Sequence, residues 1–138
     1  MRDLDPQAHM ANHVYVAYLS EARARWVRAV DPHGRHFRPS VVADVHVKYV
    51  SSLLAREAFR VGVRVARVGT SSITFGYRIL GCDGRVAAEA DSVEVMIDPE
   101  TRRPRALSAE GRRLLGPRSR GRTRRRSQPC EERDTNLA

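Results

Sequence analysis

"VVADVHVKYV", residues 41–50, divides into two interleaved sets. Val41, Ala43, Val45, Val47 and Tyr49 alternate with Val42, Asp44, His46, Lys48 and Val50. A period of two is that of a β-strand with one buried face, because successive side chains leave a strand on opposite sides. The chain changes period here. Upstream, Val14, Tyr18, Ala22 and Trp26 recur every four residues with Leu19 and Ala29 beside them, which predicts an amphipathic helix over 13–30. Pro32 and Gly34 in "DPHG" end that helix, and loop residues follow to Ser40.

Downstream the period of two persists. "AFRVGVRVARV" (58–68) alternates through Phe59, Val61, Val63 and Val65, then slips phase near Ala66 as a β-bulge would cause. "SSITFGYRIL" (71–80) and "RVAAEADSVEVMI" (85–97) supply two more strands, and short turns at 69–71 and 81–84 make the last three a meander. "SAEGRRLL" (108–115) predicts a short terminal helix. One long helix followed by four antiparallel strands is an α+β fold. A length of 138 residues suits one domain with a real core. Its expected bounds are 1–116, followed by an Arg-rich tail over 117–138 too poor in apolar residues to stay ordered.

The formal charge of +9 is unevenly spread. The tail holds seven arginines against Glu131, Glu132 and Asp134, so +4 resides there, and no aromatic residue offers a base a stacking platform. Nucleic acid is therefore not the expected partner, and the +5 of the domain suits a polyanionic ligand without specifying one. No apolar run reaches the ~18–20 residues of a membrane span, and no basic-then-apolar leader is visible. Cys82 and Cys130 do not make a disulfide framework, so a cytoplasmic location is expected.

The chemically dense segment is "DLDPQAHMANHVYVAYLSEAR" (3–23), where acids, two histidines and an asparagine crowd the start of the helix. Asp3, Asp5 and Asn12 suit helix or turn caps. They equally suit a reaction site, since a carboxylate beside free helix-start amides supplies a base or nucleophile together with donors for an oxyanion. His9 and His13 lie four apart, yet Met10 stands where a zinc-hydrolase helix needs glutamate and no third ligand is indicated. No metal is expected.

This segment resembles the D-x-D-x-x-G-H-x-N-N-x-x-Y signature of hot-dog-fold thioesterases. It is similar both to the 4-hydroxybenzoyl-CoA thioesterase branch and to plant acyl-ACP thioesterases, and element order and spacing keep the likeness to about residue 115. The resemblance implies an antiparallel sheet wrapped around one central helix. It also implies hydrolysis of a fatty or aromatic acyl-CoA, or of an acyl-carrier-protein thioester, with no cofactor. By the same likeness Asp5 is the nucleophile or general base, and His9 and Asn12 orient water or the acyl group. Gln7 and Glu21 are further catalytic candidates, Glu21 alternatively pairing with Arg25 on the helix surface. Arg67, Thr70, Ser71 and Ser72 form the turn that lies near coenzyme A in relatives, though the same residues suit an ordinary hairpin. The chain departs from the signature at Ala8 and Ala11. The alternatives are a non-catalytic acyl-CoA- or nucleic-acid-binding module and a hot-dog dehydratase or hydratase.

The resemblance further implies a homodimer or homotetramer joined through the strand at 41–50. It places a first strand directly before the acidic loop, beside the strand at 58–68. Only Met1 and Arg2 occupy that place, so this first strand is missing and the natural chain is expected to start upstream.

Overall fold

A computed structural model describes residues 12–53, 57–116 and 120–121. Helix α1 spans Asn12–Val30, strands β1 to β4 span Ser40–Tyr49, Arg60–Val68, Ser72–Leu80 and Val86–Met96, helix α2 spans Ala109–Leu115, and β5 is the pair Arg120–Gly121. The strands form one antiparallel sheet in the order β1-β4-β3-β2-β5. β2, β3 and β4 make the expected meander, and β1 adds to the far side of β4.

α1 packs on the sheet because its apolar residues fall on one side. Val14, Tyr15, Leu19, Ala22, Trp26 and Val27 are buried, whereas Ala29, expected beside that stripe, is exposed. Tyr18 meets Phe59 and Trp26 meets Phe75 edge to face, with ring centroids 4.7 and 5.5 Å apart. On the sheet side, Val63, Val65, Ile73, Phe75, Tyr77 and Ile79 complete the core.

The helix ends where Asp31 turns the chain. The buried Asp31 carboxylate accepts backbone N–H bonds from Arg35 through Oδ1 (2.9 Å) and from His36 and Phe37 through Oδ2 (3.0 Å each). Burial pushes its pKa up, but these three donors outweigh burial and hold it below the ordinary 3.8. Gly34, at φ +64°, makes the reversal that returns the chain to its own acceptor.

Two readings of strand phase meet different outcomes. The slip near Ala66 is present, as the β2–β3 register shifts between Val65 and Arg67. β1, however, also bulges, between Val42 and Asp44, so its alternation is broken at Ala43. Val42, Val45, Val47 and Tyr49 consequently lie opposite Glu94, Ser92, Ala90 and Ala88 on the helix-facing side, and Val41 lies on the other. Nor does β1 bury one face. It is an edge strand that α1 does not cover, and Val41, Val42, Val45 and Tyr49 are all exposed.

At the opposite edge, Gly121 and Arg120 pair with Val63 and Arg64 of β2. The sheet thus takes in two residues beyond the expected domain boundary at 116. This is the edge at which the resemblance places a strand preceding the acidic loop.

Candidate active site

Of the residues proposed to do chemistry, Asp5, Gln7 and His9 lie outside the described residues. Asn12 is the first residue of α1, so the helix-start amides follow the motif directly in sequence. Such a terminus favours negative charge, as a developing oxyanion requires. Glu21 is held by Arg25 one turn on, at the exposed side of the helix. That is the surface pairing given above as its alternative.

The four coenzyme A candidates are brought together at one end of the sheet. β2 ends at Val68 and β3 begins at Ser72, with Arg67 just beyond the Ala66 bulge. The turn is tight: Gly69 N–H donates to the Ser72 carbonyl at 2.8 Å, and a Cβ on Gly69 would stand 2.5 Å from Ser72 Oγ. The Thr70 carbonyl accepts from Leu107 N–H (2.9 Å) and the Ser71 carbonyl from Met96 N–H (2.8 Å). Arg67 and Thr70 are the outward-facing members of the set, Thr70 being exposed at the tip of the turn.

The structure adds a residue that the sequence did not suggest. Arg112 of α2 donates through Nη2 to the carbonyls of Gly69 (2.9 Å) and Thr70 (3.3 Å), so a second guanidinium stands at this turn. α2 is itself fixed by its N-cap Ser108, whose Oγ accepts from Gly111 N–H at 3.0 Å and lies 3.1 Å from His36 Nδ1. Arginine and hydroxyl groups in this arrangement fit phosphate oxygens.

A second polar cluster lies between α1 and the sheet. Arg23 Nε is 3.4 Å from Glu94 Oε2, with both side chains mostly buried. Ser40 Oγ donates to Glu94 Oε1 at 2.6 Å, and Arg23 Nη1 donates to Tyr77 Oη at 3.5 Å. Tyr77 Oη also lies 2.7 Å from Ser92 Oγ. Burial raises the Tyr77 pKa against the opposing effect of those hydrogen bonds, so the phenol stays neutral. None of these residues stood out in the sequence. The signal was available in Arg23, which follows Tyr15 and Leu19 at steps of four and therefore sits in an inward-facing row.

Arg85 clamps the other end of the sheet. Its guanidinium bonds both Glu57 oxygens at 2.6 Å and the Ser52 carbonyl at 2.8 Å, and its pKa is raised chiefly by the bond to Glu57. Neighbouring Cys82 is disulfide-bonded, which the sequence reading did not anticipate. Among the described residues, no group of three His, Cys, Asp or Glu side chains could hold a metal ion, and no helix is long and apolar enough to cross a membrane.

The model of the thioesterase-like superfamily matches residues 1–115. The chain belongs to that superfamily, and its α+β architecture is the hot-dog fold of those thioesterases. A thioesterase from Thermus thermophilus, solved with coenzyme A and zinc, is similar at 30% identity and a TM-score of 0.75, over 84% of this chain and 90% of that one. A protein from Xanthomonas campestris, provisionally named an acyl-CoA thioesterase, is 37% identical over 71% of this chain and 86% of its own, with a TM-score of 0.62. The Escherichia coli YbaW structure shares the fold at 24% identity and a TM-score of 0.73, over 83% and 89% of the two chains. No curated protein matches the sequence significantly.

Proposed function

We propose that this protein hydrolyses acyl-CoA thioesters to a free acid and coenzyme A. The observation that carries the reading is the family match over 1–115, which spans the "DLD…HMAN" segment, the helix that follows it and the turn at 67–72. Asp5 attacks the thioester carbonyl or removes a proton from the attacking water. The amides at the start of α1 stabilise the oxyanion, and His9 and Asn12 orient water or the acyl group. Where Asp5 is the base, water adds to the carbonyl, the C–S bond breaks, and the proton taken by Asp5 passes to the departing sulfur. Where Asp5 is the nucleophile, coenzyme A leaves as the thiolate and an acyl–Asp5 anhydride remains. A water molecule then hydrolyses the anhydride, freeing the acid and Asp5 and protonating the thiolate. Arg67, Thr70, Ser71 and Ser72, joined by Arg112, hold the phosphates or pantetheine. The coenzyme A bound in the Thermus relative supports this choice of carrier.

A homodimer through β1 belongs to the same reading. β1 ends the sheet, and its backbone edge offers a second copy a strand to extend, with Val41 exposed on the side away from the helix. A cytoplasmic setting is retained from the sequence, and it must accommodate the disulfide at Cys82. The test is release of free thiol from a panel of acyl-CoAs, with Asp5→Asn as control. Release by the wild type and its loss in the variant are expected. Coenzyme A binding without thiol release from any member of the panel would leave the binding-module alternative standing, with Ala8 and Ala11 marking the lost site.

A further inference from the structure

The helix-facing side of β1 is an open apolar strip. Val42 and Val45 on it are 43% and 40% exposed, and the half-buried Val47 and Ala90 continue it toward Tyr49. One side of the strip is bordered by the α1 row Tyr15, Leu19 and Arg23. At the end near the start of α1, Tyr15 and Tyr49 stand ring edge to ring face, with centroids 5.2 Å apart. At the other end it closes on charge, where Arg23 meets Glu94 at 3.4 Å and Ser40 Oγ caps Glu94 at 2.6 Å. Among the described residues the strip is mainly apolar, Ser92 opposite Val45 being satisfied by Tyr77 Oη, and its charges lie at the far end.

We infer that this strip holds the acyl chain and that the Arg23–Glu94 pair is its end wall, so that the protein accepts short and medium chains and rejects long ones. This rests on the acyl-CoA thioesterase reading, in which the reacting carbonyl sits at the start of α1. The two charges satisfy each other and are further bonded to Ser40 and Tyr77. A methylene pushed among them displaces hydrogen bonds and gives nothing back. Arg23 lies eleven residues past Asn12, roughly 16 Å along the helix axis, and its side chain leans back toward the helix start. The distance left is that of an extended acyl chain of roughly eight to ten carbons.

The experiment uses S-alkyl-CoA thioethers, which cannot be hydrolysed and so report binding apart from turnover. Butyl, octyl, dodecyl and hexadecyl forms are titrated by calorimetry into the wild type and into Arg23→Met/Glu94→Leu. That double variant removes both charges together and leaves neither buried alone. Wild-type affinity should rise to octyl and fall by about tenfold or more at hexadecyl, while the variant binds dodecyl at least about tenfold tighter than the wild type and butyl unchanged. Affinity that climbs steadily to hexadecyl in the wild type overturns the wall even if the variant fails to fold. Equal length profiles in the two proteins overturn it as well, as they would if a second copy alone covers the strip. A length break moved by the variant, without hydrolysis of any acyl-CoA, supports the wall and refutes only the catalytic reading. Turnover with no such break does the reverse.

Discussion

Replacing Asp31 by alanine should destabilise the domain by about 3 kcal/mol, for reasons visible at one carboxylate. It is buried, and three consecutive backbone N–H groups converge on it at 2.9–3.0 Å. Hydrogen bonds to a charged acceptor each contribute about 1.5–3 kcal/mol net. Two of the three donors are only partly buried and recover water when the carboxylate goes. Phe37 N–H is buried and does not. Summing one full loss and two partial ones gives about 3 kcal/mol, or a fall in Tm of about 10 °C for a domain of this size. Asp31→Asn keeps one acceptor oxygen and should lose about half as much. Urea unfolding of the three proteins at several pH values is the assay. The folded carboxyl titrates below its unfolded value of 3.8. Its contribution is therefore complete above that pH and is lost as the pH falls through the folded pKa. The gap between wild type and Asp31→Asn should stay constant near neutrality and close under acid. An Asp31→Ala protein within about 0.5 kcal/mol of wild type, or a gap that widens in acid, would refute this account.

Three further outcomes are expected. Asp5→Asn should fold normally and lose at least about a hundredfold in kcat, with His9→Ala losing ~10–1000-fold, both measured by thiol release. Unchanged rates would remove these residues from the chemistry. Arg112→Ala should raise KM for acyl-CoA by about threefold to tenfold with kcat nearly unaltered, because a phosphate ligand and the tie to the Gly69 and Thr70 carbonyls go together. An unaltered KM would place coenzyme A elsewhere. Removal of 117–138, assayed in reducing buffer, should change Tm by less than about 3 °C, since among the described residues the pairing it deletes is the two-residue β5. A larger fall would make β5 an integral strand.

What could be read from the sequence, and what could not, follows from the range of the forces involved. Helix and strand positions are local, set by period and turn residues, and α1 to β4 fall within about two residues of their expected bounds. The β1 phase is not local. Its bulge shows only against its partner β4, so an unbroken alternation through Ala43 assigned Val41 to the wrong face. That Arg67, Thr70, Ser71 and Ser72 share one turn was legible because they are nearly contiguous. Arg112 was not, for it arrives from 43 residues beyond Gly69 through the packing of α2.

Arg23 marks a different limit, because its signal was present and hydropathy hid it. The helix stripe was traced through Val14, Tyr18, Ala22 and Trp26, all apolar or aromatic, while the parallel row Tyr15, Leu19, Arg23 and Val27 turns equally inward. A pattern that scores only apolar residues ends that second row at its arginine. Yet a charge in an inward-facing row must find a counter-charge, since leaving it alone in a low-dielectric interior costs far more than any packing there returns. Its position therefore carries a prediction that period alone does not: an acid on the opposing sheet, reached across the helix–sheet gap. Glu94 on β4 meets that requirement. Asp91 and Glu89, which pair with Gly76 and Arg78 of β3, alternate with the inward-facing Ser92 and Ala90 and so face away from the helix. The helix period combined with the strand period thus singles out one acid of the three, and with it the end of the strip along β1.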